Sequence, residues 1–150
     1  GLARQVLERA IMPQFDQFVS RPLGPWETAC RDYLWRALCA GLLGDVTFDR
    51  LGPWWQGRGT TDSVEIDAVG LDGNRVTLIA SARWRRELVK PGDLDELRLA
   101  ARRLGAGSDT PAVLFSRSGL DPALQARARH EPIRLVDPEA MFAPQVVGVR

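Results

Sequence analysis

The chain has 150 residues, of which 45% are hydrophobic and 26% are charged, so it can form one domain with a buried core and is too apolar for general disorder. Its formal net charge of +1 excludes attraction to nucleic acid by the molecule as a whole, so any such attraction must come from a local patch. No apolar run approaches the roughly 20 residues of a membrane span, and no signal-peptide pattern opens the chain, so we expect a cytoplasmic protein without a membrane partner.

The first forty residues are predicted to be mainly helical. Residues 2–19 place apolar side chains at helical spacing, and the two prolines and the glycine of residues 21–25 end that pattern. A second helix is predicted from Trp26 to Gly41, with Glu27 at its start, where a negative charge interacts favourably with the helix dipole. Because the chain lacks an initiator methionine and enters a helical pattern at once, we expect residues 1–22 to be a helical extension that joins a missing upstream domain.

The two cysteines, Cys30 and Cys39, lie nine residues apart within the second predicted helix. Nine residues rotate a helix by about 900°, so the two side chains point to opposite faces and do not bridge each other. We therefore expect both cysteines to be reduced, buried thiols.

Three strands are predicted next, from Val46 to Trp55, from Val64 to Leu71 and from Arg75 to Arg83. The first strand contains a Gly-Pro break at residues 52–53, and the Asp-Gly pair at 72–73 predicts a hairpin turn between the other two. Residues of the second strand alternate, so that Ile66 and Ala68 are expected on one face.

Four polar side chains are predicted to meet on this hairpin. Glu65 and Asp67 share one face of the second strand, and Ser81 and Arg83 share one face of the third. Because the hairpin places the two strands side by side, these faces can come together.

The second half of the chain alternates helices and strands. The predicted elements are a helix from Pro91 to about Leu104, a strand at Ala112–Phe115, a helix from Pro122 to His130, a strand at Ile133–Val136 and a short helix at Pro138–Phe142. Asp121 is the expected N-cap of the middle helix. Strands that first form a meander and then alternate with helices predict an α/β fold with a mixed central sheet and helices on both sides.

Five short segments, spread over residues 20 to 140, resemble sequences of the PD-(D/E)XK nuclease superfamily. They read WETACRDYLW (26–35), GPWW (52–55), EIDAV (65–69), SARW (81–84) and LFSRSGLDPAL (114–124). More narrowly, they resemble the domain of unknown function at the C-terminus of many archaeal and bacterial P-loop ATPases. The resemblance implies a restriction endonuclease-like core, in the order α-β-β-β-α-β, over residues 23–150, with an upstream P-loop ATPase domain as the partner.

The same resemblance implies where a catalytic site would lie. Glu27 matches the acid on the helix, and Asp67 matches the acid on the second strand. Ser81 stands where the superfamily carries a glutamate, and Arg83 stands where it carries a lysine. All four positions of the family motif can therefore be located, and two of them, Ser81 and Arg83, carry altered residues.

These two changes predict that nuclease activity is lost. Phosphodiester hydrolysis in this superfamily uses Mg²⁺, which prefers carboxylate and water ligands, and Ser81 removes one negative charge from the site. Arg83 keeps a cation, but a guanidinium stays protonated at neutral pH and cannot act as a base. We therefore expect no cofactor, with Mg²⁺ only if the site is active. Asp67 with Glu65 could then be metal ligands, or an acid on the following helix, Asp93 or Glu96, could replace the missing glutamate.

A basic run follows the third strand, formed by Arg83, Trp84, Arg85 and Arg86. Arginine binds phosphate in a bidentate manner and tryptophan stacks on bases, so the run is a candidate nucleic-acid contact, with DNA as a possible partner. The structural alternative is that Trp84 packs under the end of the strand while the arginines are solvated or pair with acids such as Asp93.

Three functions follow from the sequence. The preferred one is a catalytically degenerate nuclease-fold domain that acts as a nucleic-acid-binding or regulatory module of a P-loop ATPase. The first alternative is an active Mg²⁺-dependent DNA or RNA nuclease with a non-standard site built on Glu27, Glu65 and Asp67. The second alternative is a protein-interaction domain without a nucleic-acid role, which the net charge near zero favours.

Overall fold

The computed structural model describes residues 24–57, 61, 64–83 and 85–143. The predicted extension, residues 1–22, and Trp84 therefore lie outside the described residues. The helices of this part of the chain are α1 (Pro25–Cys39), α2 (Pro91–Arg102), α3 (Pro122–Arg127) and α4 (Pro138–Phe142). The strands are β1 (Arg50–Gln56), β2 (Val64–Asp72), β3 (Arg75–Arg83), β4 (Ala112–Ser116) and β5 (Ile133–Val136).

The five strands form one mixed sheet in the order β1-β2-β3-β4-β5. The first three strands form an antiparallel meander, while β4 pairs parallel to β3 and β5 pairs parallel to β4. The order α-β-β-β-α-β that the sequence predicted is confirmed. A parallel step from β3 to β4 needs a crossover connection, and α2 provides it.

Helices cover both faces of the sheet and create two buried cores. On one side, α2 and α3 pack on Ile79 and Leu114 through Leu94 and Leu124. On the other side, α1 and α4 pack on inward-facing strand residues, including Leu78 and Phe115. Burial on both faces explains why the first four residues of β4, Ala112 to Phe115, form an apolar run without alternation.

The first strand begins later than predicted, at Arg50 instead of Val46. The apolar residues before it serve packing and not strand pairing: Phe48 is buried in the core under α1, and its ring lies 4.8 Å from that of Trp35. Within β1, Trp54 is buried and Trp55 is partly buried, both against the core under α2 and α3.

The regular alternation predicted for the second strand is wrong. Ile66 packs in the core under α2, whereas Ala68 packs in the core under α1. Gly52 of β1 pairs with Val69 and Trp54 pairs with Ile66, so two steps along β1 match three steps along β2. This extra residue is a β-bulge, which redirects side chains and is common beside functional sites. Asp67 lies within it.

The structure also shows the cap of α3 and the state of the two cysteines. Asp121 caps α3, because its Oδ1 accepts a hydrogen bond of 2.8 Å from the amide of Ala123. That helix ends at Arg127, three residues earlier than predicted. Cys30 is buried as expected, but Cys39 is exposed because it lies on the opposite face of α1, and both thiols are free. Among the described residues, no helix is long and apolar enough to cross a membrane.

Candidate functional site

Asp67 is a carboxylate held against the end of strand β3. Its Oδ2 accepts a hydrogen bond of 2.7 Å from the backbone amide of Ala82. Ala68 pairs with Ala80 across the two strands, so Asp67 lies next to Ser81, as the hairpin predicted. The bulge in β2 turns the carboxylate inward at this point, where much of its water shell is lost.

This environment raises the pKa of Asp67 to about 6, chiefly because burial disfavours the charged form. The hydrogen bond from Ala82 acts in the opposite direction by stabilising the carboxylate. The negative charges of Glu65 and Glu27 raise the pKa further, and the positive charge of Arg83 lowers it. Asp67 is therefore a buried acid whose charge is only partly compensated.

Ser81 and Arg83 interact with each other beside this acid. Ser81 is only 6% exposed, and its Oγ accepts a hydrogen bond of 3.2 Å from Nε of Arg83. Nη2 of Arg83 also lies 3.6 Å from Oε2 of Glu96. Ser81, at the position where the resemblance implies a glutamate, thus accepts a hydrogen bond from Arg83, at the position where it implies a lysine.

A cavity of about 490 Å³ lies between β2, β3 and α2, and Asp67, Ser81 and Arg83 line it. Glu65 and Glu96 line it as well, so the structure brings both possible replacement carboxylates to the site. Asp93 does not line this cavity. Its Oδ2 lies 2.6 Å from Nη2 of Arg85 and accepts a hydrogen bond of 2.8 Å from the amide of Lys90, which begins α2.

Glu27 does not line the cavity. It lies in the first turn of α1, where its carboxylate folds back over Gly24: a Cβ added to that glycine would lie 2.5 Å from Oε2. Its negative charge nevertheless acts on the site from a distance, because it contributes to raising the pKa of both Asp67 and the buried thiol of Cys30. For the thiol, burial and the charge of Asp67 are larger causes.

The donor atoms at this site do not fit a magnesium ion. Mg²⁺ prefers an octahedral shell of hard oxygen ligands, usually with one or two carboxylates. Here Asp67 already uses one oxygen for the amide of Ala82, and the neighbouring oxygen is the hydroxyl of Ser81, which accepts from Arg83. Within the part of the chain that the structure describes, no group of three or more His, Cys, Asp or Glu is arranged to hold a metal. Glu27, Glu65 and Asp67 thus do not form the ligand group of the alternative prediction.

The basic run after β3 is largely engaged in contacts within the domain. Arg83 contacts Ser81 and Glu96, and Arg85 forms an ion pair of 2.6 Å with Asp93. The carbonyl of Arg85 also accepts a hydrogen bond from the hydroxyl of Ser118. Arg86 is exposed. Arg85 therefore pairs with Asp93, as in the structural alternative to a nucleic-acid contact.

The sequence did not identify Leu99 and Arg103 as residues of the cavity. Leu99 lies in helix α2, and Arg103 is the C-cap of that helix. Leu99 is 61% exposed, and Nη1 of Arg103 donates a hydrogen bond of 2.7 Å to Oε1 of Gln56. The signal that identifies them is their spacing from Glu96, since residues i, i+3 and i+7 share one face of a helix.

The element order and the pairing of the strands define an α/β domain with a five-stranded mixed sheet, and Asp67 lies beside the end of β3. A model of the DUF234 family, described as archaeal and bacterial proteins of unknown function, matches residues 1–93, and the chain belongs to that family. The predicted membership in a family of domains of unknown function is thereby confirmed.

One solved structure to which the chain is similar is the DNA modification-dependent restriction endonuclease AspBHI. The similarity has a TM-score of 0.34 and 15% sequence identity, and it covers 80% of this chain. The chain spans about a third of that protein, 35% of its length. Comparison with curated protein sequences finds no match.

Proposed function

We propose that this domain has a nuclease fold without nuclease activity, and that it serves as a binding or regulatory module of a P-loop ATPase. The observation that carries the proposal is the contact between Ser81 and Arg83 at the two altered motif positions. An acid and a lysine at these positions would serve the reaction, whereas the hydroxyl and the guanidinium here satisfy each other.

The electrostatics of the site support the loss of catalysis. Asp67 is a partly buried carboxylate towards the end of the hairpin, and one of its oxygens accepts a hydrogen bond from the amide of Ala82. Metal-assisted hydrolysis requires carboxylates grouped around the ion that activates the water, and the described residues contain no group of three or more His, Cys, Asp or Glu that could hold one. Arg83 cannot take the role of a base, because a guanidinium stays protonated throughout the neutral range.

The association with an ATPase is supported by the resemblance of the five sequence segments to domains that follow P-loop ATPases. Such a module would work in the cytoplasm, where those ATPases use ATP. Its partner would be either nucleic acid or the ATPase itself, and the cavity beside Asp67 is a surface on which either could be bound.

The proposal is tested by incubating the full chain with single- and double-stranded DNA and with RNA, in Mg²⁺ and in Mn²⁺. We expect no cleavage above the level of a parallel Asp67→Ala preparation. Cleavage by the wild type that is lost in Asp67→Ala would contradict the proposal. Cleavage that persists in that variant would identify a copurifying nuclease, and the preparation would be repurified until the two samples can be compared.

The active-nuclease alternative has one observation in its favour, because Glu65 and Glu96 line the same cavity as Asp67. Calorimetric titration with Mn²⁺ separates the two functions. We expect no detectable binding by the wild type and measurable binding by Ser81→Glu, which places a second carboxylate beside Asp67. Ser81→Gln is the matched control, with the same size and no charge. Binding of Mn²⁺ by the wild type that is lost in Asp67→Ala would favour the alternative.

A further inference from the structure

Counted over the described residues that line it, the cavity beside Asp67 carries more negative than positive charge. Three carboxylates line it, from Glu65, Asp67 and Glu96, against the two guanidinium groups of Arg83 and Arg103. This balance differs from that of a phosphate-binding cleft, where cations exceed anions because the backbone of nucleic acid is itself negative.

Both arginines of the cavity already have partners within the domain. Arg83 donates to Ser81 and lies 3.6 Å from Glu96, and Arg103 donates a hydrogen bond of 2.7 Å to Gln56. A phosphate group would have to displace these contacts and approach the three carboxylates. A cation entering the cavity would keep both arginine contacts with Ser81 and Gln56 and would meet the carboxylates of Glu65 and Asp67.

The cavity also has an apolar wall. Leu99 is 61% exposed beside it, and Val64 and Ala100 contribute further apolar surface. Lysine and arginine side chains have a long alkyl stem and a charged end, so they cover apolar surface while the charge contacts an acid. A protein segment offers such a side chain next to further apolar residues.

We infer that this cavity binds a lysine or arginine side chain presented by a protein segment, so that the partner of the module is a protein surface. The inference rests on the proposed function, because a working nuclease would need the same cavity for its substrate. The proteins that fit include the ATPase to which the domain is proposed to be attached.

The environment of Asp67 provides supporting energetics. Its pKa is raised by burial and by the neighbouring acids Glu65 and Glu27, so the ionised form is unfavourable in the free domain. A bound cation would stabilise that form and lower the pKa. The amide of Ala82, which donates to this carboxylate, is a direct spectroscopic reporter of such binding.

The test is a ¹⁵N–¹H NMR titration of the full chain with the blocked peptide acetyl-Gly-Leu-Arg-Leu-Gly-amide. We expect shifts at the amides of Ser81, Ala82 and Leu99. A peptide with Gln in place of Arg is expected to give none. The double variant Glu65→Gln/Glu96→Gln is expected to bind the arginine peptide about fivefold more weakly, because two exposed ion pairs are removed.

Glu87→Gln/Glu139→Gln is the matched control, since both residues are exposed and neither lines the cavity. It should bind the peptide like the wild type. The inference is overturned if the arginine peptide shifts none of these amides, or if it binds both double variants equally. It is also overturned if a short DNA duplex shifts Ser81 and Ala82 and Arg103→Gln weakens that binding. The cleavage assay decides the proposed function separately, because it is read without any peptide.

Discussion

At the scale of single residues, the sequence predicted that the faces carrying Asp67 and Ser81 could meet, but neither the register between the strands nor the state of Asp67 could be predicted. The Asp-Gly turn by itself would place Asp67 opposite Ala80, and the register shift between Gly70 and Leu71 places it opposite Ser81. Burial of the carboxylate depends on the bulge in β2 and on the helices that cover both faces of the sheet. These are tertiary features, and they determine whether an acid in a strand is solvated or held with a raised pKa.

Asp67→Asn should change how stability depends on pH. The folded pKa of about 6 lies above the ordinary value of 3.8, so the folded state binds this proton more tightly than the unfolded state. The contribution to stability is therefore fully present below about pH 4 and is lost as the pH rises through about 6. Asparagine keeps an acceptor for the amide of Ala82 and has no charge to bury.

We therefore expect the wild type to lose about 2 kcal/mol more than Asp67→Asn between pH 4 and pH 7. Urea unfolding at several pH values measures the difference between the two proteins. Asp49→Asn is a suitable control, since that carboxylate is 64% exposed. Parallel curves for the wild type and Asp67→Asn across this range would contradict the raised pKa.

At the scale of elements, the order and type of the helices and strands were predictable from their apolar patterns and turn residues, whereas the start of β1 and the end of α3 were not. The bulge in β2 was not predictable either. Ala68 is small enough to fit either face, so the alternation of residues 64–71 does not reveal the extra residue. Its cause lies partly in the neighbouring strand, where Pro53 has no amide hydrogen to donate to the ladder. The Gly-Pro break was visible in the sequence, but its effect on β2 depends on the register between the strands.

Asp93 links the start of helix α2 to the segment that follows β3. It accepts from the amide of Lys90 and pairs with Arg85. Burial alone would raise the pKa of Asp93, but these two partners lower it, so its contribution to stability is present at neutral pH and lost in acid. Asp93→Ala should therefore destabilise the domain by about 1–2 kcal/mol at pH 7.

Urea unfolding at pH 7 checks this value, with Glu87→Ala as the control because that residue is exposed. The difference between wild type and Asp93→Ala should narrow as the pH is lowered towards the range in which the carboxylate is protonated. An Asp93→Ala protein as stable as the wild type at pH 7 would show that the cap and the ion pair with Arg85 do not hold α2 in place.

At the scale of the whole molecule, the charge distribution argues against nucleic acid as the main partner. The net charge is +1, and two of the three arginines in the basic run already contact Glu96 and Asp93. The arginines and the tryptophan of the basic run made it a candidate for DNA binding, but the sequence does not show which of its cations are already paired with acids. The pairing follows from the position of α2, which brings its acids against the end of β3.

Binding to duplex DNA should consequently be weak and only slightly dependent on salt. Each neutralised phosphate contributes a slope of about −0.9 to a plot of log affinity against log salt. With Arg86 as the exposed cation of the run, we expect a slope of about −1, measured by fluorescence anisotropy with a labelled duplex. Arg86→Ala should abolish most of this dependence, while Arg85→Ala, the matched control, should leave it unchanged because Arg85 pairs with Asp93. A slope steeper than about −4 that becomes shallower in Arg85→Ala would instead show that the ion pair opens and that the run contacts the DNA backbone.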